Sequence, residues 1–175
     1  MKMKVNPILL LFIFLFIFIQ KSVAEDLKIV FVDMDKIIAT SNAGKKIQSS
    51  MDKFAKKENQ KFDSIESDLK KKEQEILKQK NIISKEELDK KVKSFQAEIL
   101  KLRKEKVEFN RSIIKKNKDA TNKMVNEINK ILAQYASDNS ISLVIQKKNI
   151  IIGKTELDIT PQILKEFNSK VKSID

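Results

Sequence analysis

Apolar residues recur at alternating spacings of four and three through the middle of this 175-residue chain. Such a heptad pattern is typical of a helix whose apolar seam packs along a second helix. The pattern is regular in its second half, where Lys106 is the one charged seam residue, and looser in its first half, where Glu58 and Lys72 take seam positions. The apolar seam residues are Ile47, Met51, Phe54, Phe62, Ile65, Leu69 and Ile76, then Leu88, Val92, Phe95, Ile99, Leu102, Phe109 and Ile113.

The two halves of this pattern are separated by KQKNIISKEEL, residues 78–88. We expect Asn81 to end the first helix and Ser84 to cap the second, with Glu87 completing a capping box. Two long helices joined by a short turn predict an antiparallel hairpin, with arms of about 35 residues and therefore about 50 Å. A lone hairpin buries little surface. Its apolar side chains either serve only to hold the two helices together or also remain partly available to a partner.

A small β-sheet is predicted from the two ends of the chain. Ile29–Val32 is apolar at every position and has no neighbouring partner, whereas residues 141–146 and 149–153 are rich in β-branched side chains and predict two further strands joined as a hairpin. A last helix follows, with Thr160 as its expected N-cap and Pro161 as its first residue.

The expected fold class is therefore α+β, a long antiparallel helical hairpin that emerges from a small body of sheet and C-terminal helix. We expect residues 45–120 to form the hairpin, called the arm below. Residues 25–44 and 121–175 then form the body. Three strands and one or two short helices can hardly cover both faces of the sheet, which predicts oligomerisation through the body.

The first 24 residues have the layout of a secretory signal peptide. A start with two lysines is followed by the apolar run Ile8–Ile19, and small residues precede a cleavage point after Ala24. An uncleaved membrane anchor is the alternative, but this run has 12 residues, where a spanning helix needs about 20. The sequence therefore predicts an exported protein that begins at Glu25.

The composition narrows the function classes. The chain has no Cys and no His, which removes thiol chemistry, thiolate metal sites and the commonest general base and metal ligand. After the signal segment only Gly44 and Gly153 remain, and they lie far apart, so no glycine-rich loop exists to hold a phosphate. We expect neither an enzyme nor a cofactor.

Positive charge is concentrated in the predicted arm. Residues 45–120 hold 23 basic and 14 acidic side chains, whereas residues 25–44 and 121–175 together hold 10 of each. A long exposed helix can carry lysines simply for solubility. Their localisation on one segment also predicts a basic surface offered to an acidic or anionic partner.

The order of these parts resembles the Skp/OmpH family of periplasmic chaperones. The resemblance covers the export signal, the opening KIVFVDMDKIIATSNAGKKI, the lysine-rich hairpin, the LVI strand after the turn Asn-Ser-Ile, and the ending LDITPQILKEF. Its most recognisable local piece is Asp158-Ile159-Thr160.

The resemblance implies a homotrimer in the periplasm, whose bodies join through their sheets and whose arms surround a cavity. It implies an ATP-independent holdase, which binds unfolded outer-membrane proteins and prevents their aggregation. The anionic surface of a membrane is a further candidate partner. The candidate residues are Phe54, Phe62, Phe95 and Phe109 for apolar client contacts, Lys70, Lys71, Lys72, Lys101, Arg103 and Lys104 for basic client contacts, and Ile29, Phe31, Leu143, Ile145 and Ile151 for the oligomer body.

Two other readings come from different classes. A structural coiled-coil protein of the cell envelope, acting as a tether or spacer, would use the same heptads but would have its seam filled by a partner helix. A nucleic-acid-binding protein would explain the basic pI near 9.7. The export signal and the lack of interleaved stacking aromatics argue against it, so no nucleic-acid partner is expected.

Overall fold

A long antiparallel helical hairpin dominates the structure, a computed structural model that describes residues 27–174. Helix α2 (Asn42–Gln79) runs out from the body and helix α3 (Lys85–Asp138) returns to it. The predicted cap is present, because the Ser84 side chain accepts a hydrogen bond from the Glu87 backbone N–H at 3.2 Å. Helix α2 ends at Gln79, two residues before the predicted Asn81.

The two ends of the chain form a two-stranded parallel sheet. Strand β1 (Ile29–Val32) pairs with strand β2 (Leu143–Gln146), so that Ile29 lies opposite Leu143. The predicted partner of the first strand is therefore confirmed. Because the two strands are parallel, the whole hairpin serves as the crossover between them.

The predicted hairpin of residues 141–146 and 149–153 is wrong. The Ile150 backbone N–H bonds back to the Lys147 carbonyl at 3.0 Å, which folds Lys147–Asn149 into a 3-10 turn. The other edge of β1 is occupied, since the Ile159 N–H donates to the Phe31 carbonyl at 3.0 Å. After the 3-10 turn, residues 149–153 do not pair with the outer edge of β2, and the sheet has two strands.

One buried cluster holds the body together. The short helix α1 (Met34–Thr40), the body end of α3 and the C-terminal helix α4 (Thr160–Lys170) pack on one side of the sheet. Its buried members are Val30, Val32, Ile37, Ala43, Met124, Ile128, Ile131, Ile159, Ile163 and Phe167. A second, smaller cluster of Phe62, Leu69 and Leu102 lies within the arm.

The α+β architecture of arm and body is confirmed. The division at residues 45–120 stays a prediction, because α2 and α3 run unbroken between the two parts.

The start of α4 differs from the expectation that Thr160 is its N-cap. Thr160 is the first residue of the helix, and its buried hydroxyl accepts a hydrogen bond from the Asp33 N–H at 2.8 Å. Asp158 takes the capping role instead, accepting from the Thr160 N–H at 2.9 Å. Lys147 lies 3.4 Å from this carboxylate and 4.0 Å from that of Asp33. The network joins the carboxyl ends of both strands to α4.

Asp158 makes this junction sensitive to pH. Partial burial raises the pKa of Asp158, but the hydrogen bonds from the Thr160 hydroxyl and N–H, together with Lys147, lower it by more, so the net pKa lies below its usual value. A carboxylate with a lowered folded-state pKa stabilises the fold above its unfolded-state pKa of about 4. That stabilisation is lost as the pH falls through the folded-state pKa.

We therefore expect Asp158→Asn to lower the free energy of unfolding by about 1 kcal/mol at neutral pH. Urea unfolding, followed by circular dichroism from pH 7 downward, should show the difference from the wild type shrinking as the pH falls below about 4. Asp68→Asn, which removes an exposed arm carboxylate paired with Lys71, serves as the control and should change little. A difference that is constant with pH would contradict the role assigned to the Asp158 charge.

The predicted signal peptide, residues 1–24, lies outside the described residues. Among residues 27–174, no helix has the length and apolar character needed to cross a membrane.

Candidate functional site

The predicted apolar client residues lie in the seam of the arm. The Phe109 ring packs between Phe54 and Phe62, with ring centroids 5.7 and 5.6 Å apart. Phe62 is buried, while Phe95 and Phe109 are half-buried against the same cluster. These aromatic pairs hold α2 against α3, so the seam is filled from within the chain. A role of these four phenylalanines in client binding stays a prediction.

Two of the charged seam residues, Lys72 and Lys106, pair across the hairpin, whereas Glu58 pairs with Lys61 on its own helix. Lys72 Nζ lies 2.6 Å from Glu98 Oε1, and Lys106 Nζ lies 2.5 Å from Glu66 Oε1. The Lys106 amine also stands 5.7 Å from the centroid of the Phe62 ring. Such exposed pairs contribute only about 0.2–1 kcal/mol each. Their main effect is to fix the alignment of α2 along α3, because sliding one helix along the other would separate both pairs.

Three exposed apolar side chains of the arm lie away from the seam on α3. Leu100, Val107 and Ile114 are 63%, 48% and 68% exposed. They follow one another at intervals of seven residues, and seven residues fall only about 20° short of two helical turns. The three side chains therefore form one stripe, roughly 120° around α3 from the seam.

Basic side chains surround this stripe. On the same helical wheel, Lys93, Arg103, Lys104, Arg111 and Lys118 lie within about 60° of its centre. The glutamates of this stretch, Glu98, Glu105 and Glu108, lie beyond that range on one side. We call the stripe and these five basic residues the outer face of α3. It combines apolar contact area with positive charge and contains no acidic residue.

Only part of the outer face was predicted from the sequence. Arg103 and Lys104 belong to it, and both are exposed. The stripe itself was missed, although its spacing of seven residues is visible in the sequence. The other four predicted basic residues are exposed on the arm. Three of them form ion pairs, Lys71 with Asp68, Lys72 with Glu98 and Lys101 with Glu105. Lys70 has no ion pair among residues 27–174.

The body has a second exposed apolar surface, on the side of the sheet that faces away from the helices. Ile29, Phe31, Leu143 and Ile145 alternate with the core-facing valines and therefore share this side. Phe31 is buried and Ile145 half-buried, but Leu143 is 50% exposed and the neighbouring Ile151 98% exposed. Four of the predicted body residues thus share one side of the sheet, and Gly153, two residues after Ile151, lies against the Phe31 ring. We call this region, together with Ile151, the outer sheet face.

One cleft, of about 760 Å³, lies between α3 and the end of α4 and is lined by lysines and asparagines, among them Lys123, Lys130, Lys170 and Lys172. No group of three or more acidic side chains within residues 27–174 is placed to hold a metal ion. The exposed surfaces, rather than the clefts, are the features of this fold that suit binding.

Comparisons with known proteins agree with the architecture. The family model described as "Outer membrane protein (OmpH-like)" matches residues 28–167. The chain therefore belongs to the OmpH-like family, that is, the Skp/OmpH family. A crystal structure of an OmpH-like protein from Caulobacter crescentus CB15, described as an outer membrane chaperone, superposes with a TM-score of 0.80 at 13% identity, covering 85% of this chain and 88% of that one. No curated protein matches the chain.

Proposed function

We propose that this protein is an ATP-independent holdase chaperone of the periplasm, which binds unfolded outer-membrane proteins and prevents their aggregation. The outer face of α3 is the observation that carries this proposal, because it places solvent-exposed apolar side chains within positive charge along an extended arm. Membership of the OmpH-like family and the similarity to a protein described as an outer membrane chaperone support it.

The outer face suits an unfolded barrel protein. Such a client exposes alternating apolar and polar side chains and aggregates through its β-prone segments. The face offers many weak apolar contacts rather than one pocket, so affinity arises from several simultaneous contacts. Its positive charge speeds the encounter with acidic segments, an effect that weakens with salt.

We further propose that three copies join through the outer sheet face. A single arm presents its outer face to solvent and cannot enclose a client. Three arms fixed to one central body would surround a cavity and multiply the contacts. An exposed apolar surface next to a sheet is typical of a protein–protein interface, and Ile151, almost fully exposed in one copy, lies at this face.

We expect Leu143→Asp combined with Ile151→Asp to convert the trimer into monomers, because burying two unpaired carboxylates costs several kcal/mol per interface. Light scattering coupled to size-exclusion chromatography measures the mass. Leu100→Asp, on an arm side chain that is also more than half exposed, is the control and should leave the mass unchanged. A wild type that is monomeric, or a double variant that stays trimeric, would refute the interface.

The anionic surface of a membrane remains a second proposed partner. The turn at the far end of the arm exposes Ile82, which is 80% exposed, between Lys80 and Lys85. An apolar side chain flanked by lysines suits the boundary between headgroups and acyl chains. Contact with a membrane would keep the chaperone close to the place where its clients fold.

The central experiment dilutes a urea-unfolded outer-membrane barrel protein into buffer with and without the chain from Glu25 onward, in the absence of ATP. Light scattering at low and high salt reports aggregation. We expect suppression at near-stoichiometric amounts, weaker at high salt. Unchanged scattering at both salt concentrations would refute the holdase function and favour the envelope tether.

A further inference from the structure

The arginines of this chain are few and share one location. Only Arg103 and Arg111 occur among the 36 basic residues, and all the others are lysines. Both lie on the outer face of α3, on opposite sides of the stripe and with Val107 midway between them along the helix. Eight residues of helix separate their Cα atoms by about 12 Å.

Neither guanidinium forms an ion pair within the described residues. Among residues 27–174, no carboxylate lies within 4.0 Å of Arg103 or Arg111, whereas the adjacent Lys101 and Lys104 each approach a glutamate one turn away at 3.9 Å. Both arginines are exposed. Two planar groups with fixed pairs of donors therefore flank the apolar stripe and are free to bind.

Arginine and lysine differ in what they recognise. A lysine amine attracts any anion as a point charge, whereas a guanidinium binds a carboxylate through two parallel hydrogen bonds. If general attraction were all that this face supplied, lysines would serve, as they do over the rest of the arm. Arginines beside the stripe instead suit the recognition of individual carboxylates.

We infer that the outer face of α3 binds extended segments in which two carboxylates flank an apolar side chain, each carboxylate binding Arg103 or Arg111 while the apolar side chain packs on Val107. In an extended strand, residues i, i+2 and i+4 share one face, and i and i+4 lie about 13 Å apart. This separation matches the two arginines. The preferred sequence is then acidic–x–apolar–x–acidic. The inference rests on the proposed function, since it specifies which client segments this face selects.

Two labelled synthetic peptides test this preference. They carry the repeat Glu-Thr-Leu-Thr-Glu or Gln-Thr-Leu-Thr-Gln and are otherwise identical, and fluorescence anisotropy at physiological salt measures their binding to the chain from Glu25 onward. We expect the glutamate peptide to bind about tenfold more tightly than the glutamine peptide. Arg103→Lys with Arg111→Lys should remove most of this difference and leave the affinity for the glutamine peptide unchanged.

The double replacement keeps the net charge, so it separates carboxylate recognition from general attraction. Lys56→Arg with Lys57→Arg, on exposed positions of α2 outside every proposed contact surface, is the matched control and should alter neither affinity. Equal binding of the two peptides, or an arginine variant that behaves as the wild type, would overturn the inference even if the wild type suppresses aggregation. A preference for the glutamate peptide that is lost in the arginine variant, in a protein that fails to suppress aggregation, would support the inference and refute the holdase proposal.

Discussion

Replacing Gly44 with Ala is expected to lower the free energy of unfolding by roughly 3 kcal/mol, the upper end of the usual cost of overpacking. Gly44 lies in the first turn of α2, and a Cβ atom there would overlap the carbonyl oxygen of Ile38. Backbone cannot rotate away as a side chain can, so α1 or α2 must shift. At an open position in a helix the same substitution would stabilise the fold by up to about 1 kcal/mol. The sign of the change in the free energy of unfolding therefore shows whether the close approach to Ile38 constrains this position.

Urea unfolding at fixed protein concentration, followed by circular dichroism, measures this effect. Gly153→Ala is a matched control, because its Cβ would come within 2.9 Å of the Phe31 ring edge, which can give way. Its cost should be well below that of Gly44→Ala. If the two variants were equally stable, the close approach of α1 to α2 at Gly44 would not constrain the fold.

Gly44 illustrates a structural feature that the sequence alone could not predict. The helices of the arm could be predicted because heptad spacing and the Ser84 cap are local signals. The contact between Gly44 and Ile38 depends on the angle between two helices that meet at Ser41, and no local pattern encodes that angle. The same holds for Thr160, whose hydroxyl accepts from the Asp33 N–H after strand β1 and which local capping rules assigned wrongly as the N-cap.

The failed strand prediction has a comparable cause. Residues 149–153 have the β-branched composition of a strand, but composition states only that a segment suits a sheet, not how the connection before it folds. Here Lys147–Asn149 forms a 3-10 turn, and the run after it pairs with neither strand. Ile151 and Ile152 are therefore left exposed.

The candidate site was only partly predictable from the sequence. The exposed stripe on α3 repeats every seven residues, as the seam does, so its spacing alone does not distinguish it from residues that pack between the two helices. The phenylalanines of the arm are its largest apolar side chains, and a hairpin uses them first to bind its own two helices. Leu100, Val107 and Ile114 became apparent once the seam was fixed, since their angle around α3 then places them away from α2. Side chains that the arm does not need for its own packing are the better candidates for binding a client.

Replacing all three stripe residues with glutamine should therefore abolish most of the protection against aggregation without unfolding the chain. Each side chain is already exposed by 48–68%, so its loss costs the fold little. If each contributes about 1 kcal/mol on contact with a client, the triple variant loses about 3 kcal/mol, or roughly a hundredfold in affinity per arm. The light-scattering assay with an unfolded barrel protein measures the result, and circular dichroism verifies the fold.

The control for this triple variant removes three other exposed apolar side chains, with Leu77→Gln, Ile82→Gln and Leu157→Gln. Both variants keep the net charge, so electrostatic capture of the client is unaltered and any loss reflects faster dissociation. Protection that survives in the stripe variant, or falls equally in the control, would show that apolar exposure in general suffices. Loss confined to the stripe variant would mean that one face of one helix does the binding, while the phenylalanine seam keeps that face straight and in register.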